Sequence, residues 1–217
     1  MPAPPPAAAR TTRRMMRLHW SSRSPFVRKV MVVAHERGLA ERIERLPTVV
    51  ALIQPDLALL PRNPLGKIPT LVLPDGVTLY DSLVICEYLD GLGSGPSLFP
   101  PAGPARIEAL RRHALGNGFM DMLLLCRTEM GREHPDRRIL DGFSAKQAAV
   151  LEALEAEAPR LSGPGLDIGR ISIGCALSYL DFRWPKCGWR SLHPALAAWH
   201  EGFAARPSVQ ATEHVDA

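Results

Sequence analysis

Apolar and polar residues alternate from Met16 to Trp20 ("MRLHW"), the period of a short strand. From Pro25 the period changes. Val27, Val30, Met31 and Ala34 fall at i, i+3, i+4 and i+7, one face of a helix, and Gly38 is a natural stop. "RIERLPTVV" can hold a second strand. "PTLVLPDGVTLY" predicts a hairpin: Thr70–Leu73, a Pro-Asp-Gly turn, then Val77–Leu79. "DSLVICEYLDGLG" predicts a helix opened by Asp81 or Ser82. With an optional helix between the second and third strands, the order is β-α-β-(α)-β-β-α over about eighty residues.

The period is lost between Asp90 and Ala105, which are rich in Gly, Pro and Ser. The G-x-G-x-G there follows a helix, whereas a dinucleotide fingerprint follows a strand. Beyond it four helical patterns run over residues 106–132, 144–161, 170–184 and 193–209, with no strand pattern and no internal repeat. The layout is an α/β unit at 16–93, a linker at 94–104 and an all-α unit at 105–217. The first fifteen residues are low in complexity and read as a disordered tail, or as an over-long start with Met15 or Met16 as the real one.

Composition narrows the function classes. Of 217 residues, 46% are hydrophobic and 22% charged, ordinary for a globular protein. The net charge is +4, but Arg10, Arg13, Arg14 and Arg17 supply it without any acid among residues 1–17. The other 22 basic residues balance 22 acids, and no Lys/Arg cluster offers a nucleic-acid face. No apolar run reaches the ~18 residues of a membrane span, and no secretion signal is present. Cys86, Cys126, Cys175 and Cys187 show no C-x-x-C. Cys86, Cys126 and Cys175 sit in apolar helical runs and read as buried free thiols of a reducing compartment. Seven scattered His give no metal-ligand spacing.

Three stretches carry candidate chemistry. Ser24, before Pro25, is a preferred helix N-cap, and Pro25 at the first helical position gives up an amide that was unpaired anyway. Pro69 stands directly before a strand, after Gly66-Lys67-Ile68, which predicts a cis bond in a tight bend. Such a bend frees the main chain of Ile68 to pair with an extended peptide. Asp81-Ser82 opens a helix whose free amides attract a carboxylate, while Asp81 can meet an ammonium; an amino-acid end carries both charges. Each stretch alone is also read as an ordinary cap or loop.

In this order "SPFVRKV", "NPLGKIPTL" and "LYDSLVICEYL" resemble the glutathione S-transferase family, as do "GCALSYLDFR" and "PALAAWHEGFAARPS" in the helical half. The resemblance covers residues 16–213 and is nearest to the bacterial Ser-type members with an SPFVRKV motif. It implies a thioredoxin-like N-terminal domain, an all-α C-terminal bundle, and glutathione as co-substrate without a metal. It also implies a cytoplasmic homodimer acting on a small electrophile in detoxification, with neither nucleic acid nor membrane as partner. Ser24 matches the catalytic Ser. Phe26, Lys67, Ile68, Pro69, Asp81 and Ser82 match the glutathione site: Ile68 pairs with the cysteinyl part, Asp81 and Ser82 hold the γ-glutamyl end, and Lys67 meets the glycyl carboxylate. Ser21 ranks below Ser24. Asn117, Met120 and Arg127 are assigned to the electrophile pocket. Arg28 and Lys29 read as surface charges in preference to an added positive field at the thiol.

Elementary chemistry agrees with a donor role for Ser24. A free thiol has a pKa of about 8.5, so little thiolate exists at neutral pH. A charge-assisted hydrogen bond of ~1.5–3 kcal/mol and a helix start of ~0.3–1 kcal/mol lower that value by roughly one to two units. The other readings are a glutathione-dependent isomerase or peroxidase, or a non-catalytic binding protein on this fold, as the stringent starvation proteins are. Two departures stand out. Relatives often open the core helix of the second domain with Ser/Thr-x-x-Asp, where this chain has Asp167 to Arg170. Asn117 stands where many have Asp.

Overall fold

The computed structural model describes residues 15–51 and 53–216. Of the fifteen residues read as a tail, 1–14 lie outside the described residues and Met15 is exposed. Strand β1 (Met16–Trp20) leads into helix α1 (Pro25–Glu36), a 3-10 turn (Ala40–Arg42), β2 (Ile43–Pro47), β3 (Thr70–Val72) and β4 (Thr78–Leu79). Helix α2 (Ser82–Leu92) follows, then α3 (Gly103–Met130), α4 (Arg137–Leu161), α5 (Ile168–Arg183), α6 (Trp189–Leu192), α7 (Pro194–Ala204) and α8 (Pro207–Gln210). The four strands form one mixed sheet in the order β2-β1-β3-β4. β1 and β2 are parallel, with α1 as the crossover that a parallel pair requires. β3 is antiparallel to both β1 and β4. The result is a thioredoxin-like α/β half joined to an all-helical half.

The optional helix between β2 and β3 is absent from the described residues; 57–65 form turns instead. Pro55, Pro61 and Pro64 recur too closely for a helix to run past them. Helix α4 starts at Arg137, seven residues before the predicted 144, because Asp136 caps it by accepting from Arg138 N at 2.9 Å. α3 begins at Gly103, inside the stretch read as linker.

That stretch is fastened to the α/β half. The buried Asp90 carboxylate pairs with Arg37 Nε at 3.0 Å and accepts from Ser97 Oγ at 2.6 Å and Leu98 N at 2.9 Å. The Arg37 guanidinium also donates to the carbonyls of Asp90, Gly93, Gly95 and Pro96. Every charge in this knot has a partner, which is what makes burial tolerable.

The two halves meet along α1, which packs on α2, α3, α5 and α8. α3 and α5 approach closely at Gly116, where an added Cβ would stand 2.5 Å from the Ser172 backbone. Asp167 caps α5, accepting from Arg170 N at 2.9 Å. Arg170 occupies the place where relatives often carry an acid. It ties the preceding turn instead, donating to the carbonyls of Arg160, Leu161, Pro164 and Gly165 and pairing with Asp167 at 3.1 Å. Cys86 and Cys175 are buried, and burial lifts their thiols to about 12 and about 11. Cys126 is only half-buried, contrary to the sequence reading, and Cys187 is exposed.

Candidate functional site

Three segments distant in sequence converge because of strand direction. β1 runs toward the loop that ends at Ser24. β3 is antiparallel to it, with Thr70 opposite His19, so Ile68–Pro69 lie at the same end of the sheet. β4 is antiparallel to β3, with Leu79 opposite Leu71, so the chain leaves β4 toward Asp81 at that end too. The Ile68–Pro69 bond is cis. Ile68 is nearly buried and lies just before β3; among the described residues its N–H and C=O make no turn or loop hydrogen bond.

Asn63 holds this bend in place. It is 1% exposed and was not singled out from the sequence. Its amide donates to Lys67 O at 3.0 Å and Thr70 Oγ1 at 2.9 Å, and its Oδ1 accepts from Leu65 N at 3.0 Å. Thr70 Oγ1 donates to the same Lys67 carbonyl at 2.8 Å. Gly66 sits between them at φ +59°, a conformation that side chains disfavour. The Lys67 side chain is exposed.

Ser24 caps α1: its Oγ accepts from Val27 N at 3.3 Å. That bond uses an oxygen lone pair and leaves the hydroxyl proton available. Neighbouring hydroxyls differ. Ser22 Oγ donates to Val215 O at 2.7 Å, so its proton is spent. Ser21 Oγ accepts from Arg23 N at 3.3 Å. At the third segment Asp81, exposed, caps α2 by accepting from Leu83 N at 3.0 Å, and Ser82 is buried in the first turn.

The structure corrects the reading of Arg28 and Lys29 as surface charges. Arg28 is 8% exposed and Lys29 is fully buried. The Lys29 ammonium donates to Asn117 Oδ1 at 2.7 Å and lies 3.0 Å from His113 Nε2, on α3. It stands 5.8 Å from the centroid of the half-buried Phe26 ring. Burial first, then the Lys29 charge, pushes the His113 imidazole down to about 4, so at neutral pH its Nε2 can accept from the ammonium. Burial lowers the Lys29 ammonium as well, opposed by Cys86, Cys175, Asp81 and Asp121. The Asp121 carboxyl is raised by burial, against the pull of Lys67 and Lys29. Asn117 Nδ2 reaches Asp121 Oδ2 at 3.4 Å. The seam beside Asp81 is therefore one electrostatic neighbourhood.

The three residues assigned to the electrophile pocket all lie on α3 and differ in exposure. Asn117 is engaged by Lys29, and Arg127 is exposed near the far end of α3. Met120 is fully buried, the ordinary fate of a methionine at core spacing. Among the described residues, no group of His, Cys, Asp or Glu is placed to hold a metal ion. No helix among them is long and apolar enough to cross a membrane.

The comparisons with known proteins follow the same lines. The model of a family described as "Glutathione S-transferase, N-terminal domain" matches residues 23–92. An uncharacterized GST-like protein of Escherichia coli K12, YibF, is 30% identical over 204 residues, which cover 91% of this chain and 98% of that protein. Glutathione S-transferase 3 of maize is 30% identical over 210 residues, 91% of this chain and 92% of that one. A glutathione transferase family member of Pseudomonas fluorescens Pf-5, solved with bound glutathione, is 43% identical, with a TM-score of 0.88 over 92% of this chain and 99% of that chain.

Proposed function

The chain belongs to the glutathione S-transferase family, and we propose that it is a Ser-type glutathione transferase in which Ser24 holds the glutathione thiolate. The observation that carries this reading is the direction of the hydrogen bonds at Ser24. Its oxygen accepts from Val27 N, so its proton is left to donate to sulfur at the positive end of α1. The same bond that caps the helix polarises the O–H and strengthens it as a donor.

Glutathione lies along the shared end of the sheet. The main chain of Ile68 pairs with the cysteinyl unit as an added strand would, with Pro69 fixing the bend. Asp81 takes the γ-glutamyl ammonium, and the start of α2 with Ser82 takes its carboxylate. Lys67 meets the glycyl carboxylate, and the Phe26 ring flanks the peptide. That the Pseudomonas relative binds glutathione supports the assignment.

The reaction is a displacement or addition by sulfur. The thiol proton leaves to solvent and the sulfur lone pair forms the bond to the electrophilic carbon; in displacement the leaving group departs with its electron pair, and in addition the π pair moves onto the acceptor, which takes a proton from solvent. Ser24 is a donor throughout and forms no covalent intermediate. The setting is the cytoplasm, where two buried thiols stay reduced. A homodimer is the working assembly, as the family resemblance implies. The α/β domain runs over 16–93 and the helical domain starts with α3 at Gly103, the stretch between them being the join.

The test is retention on immobilised glutathione, followed by a panel of aryl halides, enones, hydroperoxides and cis-trans isomerisable diacids. Retention with conjugation of an aryl halide or enone is expected. Failure to bind glutathione, or turnover of the hydroperoxide or diacid alone, overturns the transferase reading.

A further inference from the structure

The segment that follows α8 reaches back to the loop just before Ser24. His214 Nδ1 lies 3.0 Å from Ser22 O. A carbonyl only accepts, so the ring is the donor and carries its proton on Nδ1. Burial first, then the Arg28 charge, holds this imidazole down at about 4, so it is neutral at physiological pH. A second bond runs the other way, from Ser22 Oγ to Val215 O at 2.7 Å.

The loop has little else to hold it. Ser24 N donates to Ser21 O at 3.2 Å and Arg23 N to Ser21 Oγ at 3.3 Å, both within the turn itself. Among the described residues, the bonds to His214 and Val215 are the only side-chain or turn hydrogen bonds that tie residues 21–23 to another segment. The far end of the tie is firmly anchored. The His214 ring stacks on Phe182, with centroids 4.9 Å apart, and meets the Tyr179 ring edge-on at 5.5 Å. Asp216 pairs with Arg183 at 3.1 Å, and the Arg183 guanidinium lies 4.0 Å from the Phe182 centroid. All three anchors belong to α5, whose residues from Ile171 to Leu177 are buried without a break. A close-packed helix of this kind offers one position, which an exposed turn alone does not.

We propose that His214 is a positioning residue: with Val215 O as its second hold, it fixes the Ser21–Ser24 turn at the distance where the Ser24 hydroxyl meets the glutathione sulfur. This rests on the reading of Ser24 as the donor to the thiolate. His214 itself touches neither sulfur nor peptide. A hydrogen bond weakens steeply once its angle and length drift, so a loosened turn costs activation. Binding is spared, because Ile68, Asp81 and Ser82 hold the peptide from other segments.

The experiment follows bound glutathione by the ultraviolet absorbance of its thiolate against pH, in the full chain and in His214→Leu, His214→Asn, Ser22→Ala and Ser24→Ala. Leu keeps apolar bulk against Phe182 and loses the donor, whereas Asn returns an amide N–H near the place of Nδ1. His214→Leu and Ser22→Ala should each raise the thiol pKa by about half a unit or more, toward its ordinary value of about 8.5, with the Kd for glutathione within about twofold of the parent. His214→Asn should behave as the parent does. A parent-like pKa in folded His214→Leu or in folded Ser22→Ala overturns the proposal. So does an equal rise in His214→Asn, which would assign the effect to lost ring packing. Ser22 lies at the surface, so Ser22→Ala remains a fair test if His214→Leu fails to fold. Ser24→Ala keeps the two readings apart. If it leaves the pKa unchanged, Ser24 is not the donor, and the tie is judged by amide hydrogen exchange at Ser24 and Val27. That exchange should speed about tenfold in His214→Leu or Ser22→Ala, and unchanged exchange overturns the tie as well.

Discussion

At Ser24 one oxygen serves the helix and, in the proposed mechanism, one proton is left for the ligand, so substitution can separate the two roles. Ser24→Ala removes both. The lost cap costs ~0.5–2 kcal/mol of stability. The lost donor should slow conjugation and raise the kinetic pKa of bound glutathione. Ser24→Cys places a thiol at a helix N-terminus, where it ionises readily. That variant should lose conjugation and gain reduction of a glutathione mixed disulfide through its own mixed disulfide. The measurement is paired initial rates with an aryl halide and with the mixed disulfide. If Ser24→Ala conjugates as fast as the parent at equal folded fraction, Ser24 is a cap and Ser21 must hold the thiolate. A second prediction concerns His113. Its folded value near 4 lies below the ordinary 6.5, so between those limits the unfolded chain binds more protons than the folded one. Its contribution is full above pH 6.5 and is lost as pH falls toward 4, by roughly 2–3 kcal/mol. His113→Gln keeps an acceptor for Lys29 without titrating. It should flatten the fall in melting temperature between pH 7 and 4.5 relative to the parent, and an unchanged slope would show that His113 is not held neutral. At this scale the sequence was half legible. Cap and cis-Pro are written in local residue types. The burial of Lys29 is not, because it depends on α3 arriving from eighty-odd residues away.

Among elements, α1 shows why a period can mislead. Val27, Val30, Met31 and Ala34 mark one apolar face, and the remaining positions suggest a solvated one. In the structure every residue from Val27 to Ala34 is buried, Arg28 and Lys29 included. A helix wedged between a sheet and a second domain has no wet face, and its charges survive by finding polar partners. The hairpin and β1 were readable because alternation and a Pro-Asp-Gly turn are short-range signals. The segment between β2 and β3 was not, since turns built on scattered prolines leave no period. Yet it contains Asn63, which fixes the bend before β3 with three hydrogen bonds from its side-chain amide. Asn63→Ala leaves the Lys67 carbonyl with one partner and should cost ~1–3 kcal/mol in stability. Because the bend presents Ile68, the KM for glutathione should rise more than kcat falls. A variant with normal KM would show that the bend holds its shape without Asn63.

For the whole molecule, the ordered set of motifs announced the fold, while the fastenings between its halves were hidden. The Lys29–Asn117 contact and the Arg206–Glu36 ion pair join residues that no local pattern connects. They make the two halves one body at the level of side chains. The homodimer belongs to this scale too. Sedimentation velocity at micromolar concentration should give a species of about twice the 23.8 kDa chain mass. A pure monomer would refute it.

The convergence of Ser24, Ile68 and Asp81 at one sheet end has a consequence for how the protein behaves in a cell rich in its ligand. Those segments come from three separate crossings of the chain, and β4, which delivers the last of them, has only two residues. Bound as proposed, a tripeptide lying across all three would act as a removable cross-brace. By mass action it adds RT ln(1 + [L]/Kd) to the folded state, about 2.7 kcal/mol at a hundredfold excess over Kd. The melting temperature should therefore climb with glutathione concentration, and the turns at 57–65 should become slower to cut with protease. A melting temperature indifferent to glutathione would mean that the brace is never fitted. If it is fitted, depletion of the thiol pool would both starve the reaction and loosen the catalyst, so that its abundance would track the redox state of its surroundings.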